Sequence, residues 1–207
     1  MASVFAGLFG PPAAKRRAGV LVLWHGSQDW EGPGAVRKAK TGSIMHGPGL
    51  YLTTSADTAR KYAKGGGSVI RIELELPIRW LSTAKMPTAD AVAFLRELPR
   101  LRHRKELLED LKRAAARHGD GGEVWPGVVL NLMSNADAIK GDQGPALARF
   151  LVENGVDAEL VQRSTEDWVV LYNPDKIVDH RKVPAGEAED APRVVPPALD
   201  GLFRSWR

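Results

Sequence analysis

The chain reads as an α+β protein, and three observations carry that reading. Apolar runs with strand character come early, at residues 20–24, 50–52 and 68–76. Segments with helical periodicity fill the middle, from residue 88 to 154. Strand patterns return late, at residues 156–163, 167–172 and 177–183. No internal repeat interrupts this order.

The elements follow from the local chemistry. Residues 1–18 form a flexible arm, because Gly10-Pro11-Pro12 breaks any helix. Val20-Leu21-Val22-Leu23-Trp24 is an apolar strand that ends in the polar His25-Gly26-Ser27. Residues 28–44, with Gly32-Pro33-Gly34 and basic residues at 37–40, are a long connection, and long loops inside compact domains tend to be functional. Gly47-Pro48-Gly49 then forces a tight loop before the short strand Leu50-Tyr51-Leu52. Thr53, Thr54 or Ser55 can cap a helix with Asp57 in its first turn and with Ala56, Ala59, Tyr62 and Ala63 along it. Gly65-Gly66-Gly67 ends that helix. Residues 68–76 alternate apolar and polar, the mark of a half-buried strand, and Pro77 closes it. A helix over 88–98 with Thr88 as cap is followed by a charged one over 101–118, whose Leu107, Leu108, Leu111 and Ala115 share a stripe. Further helical segments fall near 128–139 and 145–154, the last ended by Asn154-Gly155. Asn173-Pro174-Asp175 is a turn, and 177–183 gives a last edge strand. From residue 184 onward Pro, Ala and Glu dominate, so 184–207 reads as a tail with an apolar tip at Leu199, Leu202, Phe203 and Trp206. One domain over 19–183, with a helical insertion near 88–155, is the expected organisation.

Composition excludes several classes. At 207 residues and 43% hydrophobic content, one domain with a good core is expected. No apolar run approaches the roughly 20 residues of a membrane helix. The first ten residues place apolar side chains ahead of Lys15-Arg16-Arg17, the reverse of a secretory signal, so a cytoplasmic location in the producing or a target cell is expected. Cysteine is absent, which removes disulfides, a thiolate nucleophile and Cys metal sites. His46, His103, His118 and His180 lack metal-type spacing, so no metal is expected. The net charge of +4 is modest and concentrates at residues 15–17, 37–40 and 100–105, clusters that suit an anionic substrate or a nucleic-acid backbone as well as a solvated surface.

The most informative stretch runs from Met45 to Tyr62. One loop–strand–helix unit delivers two tyrosines, Tyr51 from the strand and Tyr62 from the helix. Two rings facing across a gap make a slot for a flat ligand, and stacking adds about 0.5–1.5 kcal/mol beyond area burial. Together with the upstream strand, this set resembles the ADP-ribosyltransferase superfamily, in the branch with a His–Tyr–Glu signature that includes the poly(ADP-ribose) polymerases. Leu23-Trp24-His25-Gly26-Ser27 matches that branch's aromatic-H-G-[ST] strand, and Gly47-Pro48-Gly49-Leu50-Tyr51-Leu52 matches its G-x-G-[IL]-Y-[FL]. A second tyrosine one short helix later matches Tyr62.

The resemblance implies a split pair of small, mostly antiparallel sheets around a cleft for NAD+. It implies transfer of ADP-ribose from NAD+, without a metal, to a protein or nucleic-acid acceptor, as bacterial and phage toxins, effectors and host-takeover factors do. His25 would bond the adenosine ribose, with Ser27 nearby. Gly26 would grip the nicotinamide amide, Gly49 would shape the loop, and Tyr51 and Tyr62 would sandwich the nicotinamide. Ala59 stands where the family often has a serine. The family's glutamate stabilises the ribose cation that forms as nicotinamide leaves. Aligning Trp168-Val169-Val170 puts Asp167 at that position, chemistry favours Glu166, and aligning on Pro174-Asp175 puts Trp168 there. Glu166 and Asp167 cannot both face the cleft on a regular strand. A single-unit product is expected over a polymer. A non-catalytic NAD+ or ADP-ribose-binding module and an NAD+ glycohydrolase are the rival readings.

Overall fold

The computed structural model of the chain describes residues 19–34, 46–118 and 122–195. The arm at 1–18, the basic residues 15–17 and 37–40, and the apolar tip beyond 195 lie outside the described residues.

Over the described residues the fold is α+β, with a six-stranded sheet, a two-stranded sheet and five α-helices. β1 (Val20–Ser27) runs on through His25-Gly26-Ser27, so the polar motif sits at its end and not in a following loop. β2 (Leu50–Thr53) leads into α1 (Ala56–Tyr62), and of the three possible caps Ser55 takes the role, its side chain accepting from the Thr58 N–H. β3 (Ser68–Glu75) returns along the whole of β1, from Val20 opposite Glu75 to Ser27 opposite Ser68. Leu23, Ile70, Ile72 and Leu74 are fully buried on one face of this pair, the outcome expected of its alternation.

β4 (Met86–Pro87) and β5 (Glu123–Val124) form the small sheet, too short to show a period in the sequence. α2 (Thr88–Glu97) is capped one residue earlier than expected: Pro87 is its N-cap, and Thr88 is its first residue. α3 (Arg104–His118) starts later than expected, because Arg100 and His103 adopt positive φ of 56° and 54°. α4 (Pro126–Asn135) has proline at its first turn, and α5 (Gln143–Glu153) follows. These helices enclose a core with Leu95, Leu111, Met133, Leu147 and Leu151, against which Val170 and Tyr172 pack.

β6 (Ala158–Gln162) and β7 (Asp167–Leu171) make a hairpin, and β8 (Ile177–Val183) closes the far edge against β3. The six-stranded order is β6-β7-β2-β1-β3-β8, every neighbour antiparallel. Among the described residues the β1–β2 ladder holds a single registered pair, Trp24 opposite Thr53. The sheet is thus two three-stranded halves, β6-β7-β2 and β1-β3-β8, on a narrow joint.

The segment after β8 is not loose where it is described. Asp190 Oδ1 accepts from the first α1 amide, that of Ala56, at 2.7 Å, and Ala191 N–H donates to the Thr54 carbonyl at 2.8 Å. Arg60 on α1 reaches back to the carbonyls of Ala185 and Ala188. Ala188 and Val194 are buried in the cores beside α1 and β3. Residues 185–195 therefore form a strap over α1 and the start of β7, a correction to the reading of everything past 184 as a tail. Among the described residues no helix is long and apolar enough to cross a membrane.

Candidate functional site

A groove of about 690 Å³ opens beside the joint between the half-sheets. Its volume falls within the usual 300–1,000 Å³ range of small-ligand sites. His25, Gly26, Ser27, Gly49, Tyr51 and Tyr62 all line it, joined by Trp30, Leu171 and Pro174. The two motifs are 20 residues or more apart in sequence and meet here because β1 and β2 are neighbours. The His25 ring bridges them directly: its Nδ1 lies 2.9 Å from the Tyr51 carbonyl. A carbonyl only accepts, so Nδ1 carries the proton and the ring is fixed in orientation.

Gly26 has a steric reason. A Cβ there would stand 1.9 Å from the Ala59 carbonyl oxygen and 2.8 Å from Tyr62 Cβ, so the end of β1 is pressed against α1. At Gly49 a Cβ would stand 2.7 Å from both the Leu171 carbonyl oxygen and Val170 Cγ1. These glycines let the pieces that carry His25, Tyr51 and Tyr62 approach closely. Ala59, at the family's serine position, is 1% exposed and offers the groove nothing.

The two tyrosines differ in setting. Tyr51 is half-buried, and its hydroxyl donates to the Gly47 carbonyl at 2.9 Å. Burial first, then the charge of Glu159, pushes its hydroxyl pKa up to about 12. Tyr62 is 59% exposed, a large apolar surface left open on the rim. Trp30 packs against His25 with ring centres 5.1 Å apart and against His180 of β8 at 5.8 Å, so an indole stands beside the His25 ring in the groove.

The structure separates the two acidic candidates. Asp167 is fully buried, which keeps it from any ligand. Its carboxylate accepts from Arg193 Nε at 2.7 Å, Arg193 Nη2 at 2.6 Å and the Val194 N–H at 2.8 Å. The Arg193 hydrogen bonds hold its carboxyl below the usual carboxylate range, against the opposing effect of burial. It is a structural anchor for the strap, and this corrects the register that offered it as a catalytic carboxylate. Glu166 is partly exposed, and its Oε2 accepts from Thr53 Oγ1 at 2.6 Å, two residues along β2 from Tyr51. Burial opposes its ionisation, but the hydrogen bond from Thr53 and the nearby Arg163 outweigh it and hold the carboxyl below its ordinary value. Glu166 does not line the groove itself. It sits past Thr53, beside Trp168, which is paired with Thr53 and lies edge-on to Tyr62 at 6.5 Å. The Arg163 guanidinium covers the Trp168 ring at 4.0 Å.

Two participants escape the sequence reading. Arg193 lies 26 residues beyond Asp167 in a segment that reads as tail. Glu159 stands on β6 opposite Val170, which is in turn opposite Tyr51. Burial pushes its carboxyl up to about 7, against a hydrogen bond from Tyr172. Period-2 alternation marks its strand, but only the pairing register places it in Tyr51's row. Among the described residues no group of His, Cys, Asp and Glu is arranged to hold a metal ion. Comparison with protein-family models, with curated proteins and with solved structures finds no match to this chain.

Proposed function

We propose that the chain is an ADP-ribosyltransferase that moves one ADP-ribose unit from NAD+ to a macromolecular acceptor, protein or nucleic acid, with release of nicotinamide. The observation that carries this reading is the convergence of six motif residues, His25, Gly26, Ser27, Gly49, Tyr51 and Tyr62, on one groove. The narrow joint between two three-stranded halves supports the split-sheet architecture that the resemblance implies. Tyr51 and Tyr62 present π surface to the nicotinamide, a cation before transfer. His25 orients the adenosine ribose, with Trp30 packed beside it. Glu166, ionised at neutral pH on Thr53 just beyond the groove's lining, is assigned as the carboxylate for the ribose cation that develops as the nicotinamide–ribose bond breaks, which requires the ribose to extend past Tyr51 toward Thr53. The acceptor nucleophile then bonds that carbon.

One observation favours the binding-module alternative. Trp168 occupies the position paired with Thr53, so an indole stands where the second alignment puts the glutamate. Titration of the purified protein with NAD+, followed by measurement of free nicotinamide, separates the readings. Binding with nicotinamide release that Glu166→Gln abolishes supports NAD+ cleavage, with ADP-ribose on a macromolecule marking transfer and free ADP-ribose marking a glycohydrolase; tight binding without release makes the chain a module; absence of binding overturns all three.

A further inference from the structure

The Gly47 loop, which presents Tyr51 to the groove, is held by two tyrosine hydroxyls. Tyr51 Oη donates to the Gly47 carbonyl at 2.9 Å. Tyr172 Oη lies 3.1 Å from the His46 carbonyl and 3.3 Å from Glu159 Oε2. A phenol has one proton, and a carbonyl has none to give. If Tyr172 donates to His46, its contact with Glu159 is a hydrogen bond only when the carboxyl carries a proton and donates in turn. An ionised Glu159 instead competes for the Tyr172 proton and strips the loop carbonyl of its donor. The loop has little slack for another arrangement: Gly47 sits at φ +85°, and a Cβ there would meet Leu130 Cδ1 at 2.9 Å and Tyr172 Oη at 3.0 Å.

We propose that Glu159 is a positioning residue that holds the Gly47 loop through Tyr172 in its protonated form and releases it on ionisation. The surrounding groups assign the transition to Glu159. The titratable side chains facing it are Tyr172, just past β7, and Tyr51 on β2, both pushed above the ordinary tyrosine range, chiefly by burial. His46, on the loop, is held below its ordinary 6.5 by burial and then by Arg163 just past β6, so its charge change falls below that of Glu159. Burial raises Glu159 from the ordinary 4.5 to about 7. The native chain therefore holds this proton more tightly than the unfolded one, and the protonated arrangement is lost as pH rises through about 7.

The test is amide hydrogen exchange across residues 46–51, corrected for the intrinsic pH dependence, in the full chain at pH 6 and pH 8.5. Wild-type protection is expected to fall about tenfold between the two, the equivalent of one net hydrogen bond. Glu159→Gln, whose amide can always donate to Tyr172, is expected to keep its pH 6 protection at both. Tyr172→Phe is expected to show weak protection at both and no pH step. Constant wild-type protection, or a pH step that persists in either variant, overturns the proposal. If Glu159→Gln does not fold, the absence of the step in Tyr172→Phe is the deciding result. This readout needs no nucleotide, so it stands or falls separately from the NAD+ reading. On that reading, NAD+ binding weakens as pH passes about 7 in wild type and not in Glu159→Gln.

Discussion

Replacing Arg193 by methionine should cost the protein a definite amount of stability, because it strands a carboxylate with no access to solvent. Asp167 is 0% exposed and loses two of its three charge-assisted hydrogen bonds, keeping the Val194 N–H. Removing one partner of a fully buried pair costs about 3–5 kcal/mol. Arg193 itself is 47% exposed, so water screens the pair and can replace part of the lost hydrogen bonding. The expected loss therefore falls at or below that lower limit, about 2–3 kcal/mol. With a urea slope of about 2 kcal/mol/M, the unfolding midpoint drops by about 1–1.5 M. Urea unfolding followed by far-UV circular dichroism measures it, and the Arg193→Met/Asp167→Asn double-mutant cycle isolates the pair, with an expected coupling above about 1 kcal/mol. A shift below about 0.5 kcal/mol, or a coupling near zero, would refute the assignment of Asp167 as the strap's anchor. The same anchor fixes the first residue of β7, while Glu166, in the turn just before it, is directed to the Thr53 hydroxyl.

Three further outcomes follow from the geometry. Glu166→Ala should abolish transfer while shifting stability by less than about 1 kcal/mol, because its side chain is partly exposed, whereas Asp167→Ala should destabilise by about 2 kcal/mol or more; equal small effects in both assays contradict a carboxylate mechanism on this strand. Gly26→Ala should be among the most damaging single-methyl additions, since its Cβ meets backbone at 1.9 Å and α1 must move; a thermal midpoint unchanged from wild type would show that α1 and β1 are not so closely apposed. Tyr62→Ala should leave unfolding within about 0.5 kcal/mol of wild type, the side chain being 59% exposed, yet weaken NAD+ binding by about tenfold; unchanged affinity removes Tyr62 from the ligand.

Much of this molecule is legible in the chain because its signals are local. The period of two in residues 68–76, the Gly-Pro-Gly turn before Leu50 and the glycines after Tyr62 each act within a few residues, and the structure has strands and a helix there. The groove residues are legible for a different reason: they sit in two short motifs, and the structure shows Gly26 pressed against α1 and Gly49 against β7. Nonlocal pairing is what local reading misses. Glu166 and Asp167 are ambiguous in sequence because the deciding partner, Arg193, lies in a Pro- and Ala-rich stretch with no strand or helix pattern. Glu159 is an ordinary acidic residue on a strand until β6, β7 and β2 are aligned. The two-residue strands β4 and β5 are too short for any period, and the start of α3 depends on positive φ at Arg100 and His103, residues that give no warning of it.

The central claim is that this groove takes NAD+ and that ADP-ribose leaves it for a macromolecule. Incubating the purified protein with adenylate-labelled NAD+ and a bacterial lysate, then dividing the sample among protease, DNase and RNase before separation, tests it most directly. The account expects label in macromolecules from the wild type, removed by one of the three digestions and absent from Tyr51→Ala and Glu166→Ala. Label at wild-type level in both variants, or intact NAD+ with no labelled product and no measurable binding, would contradict it.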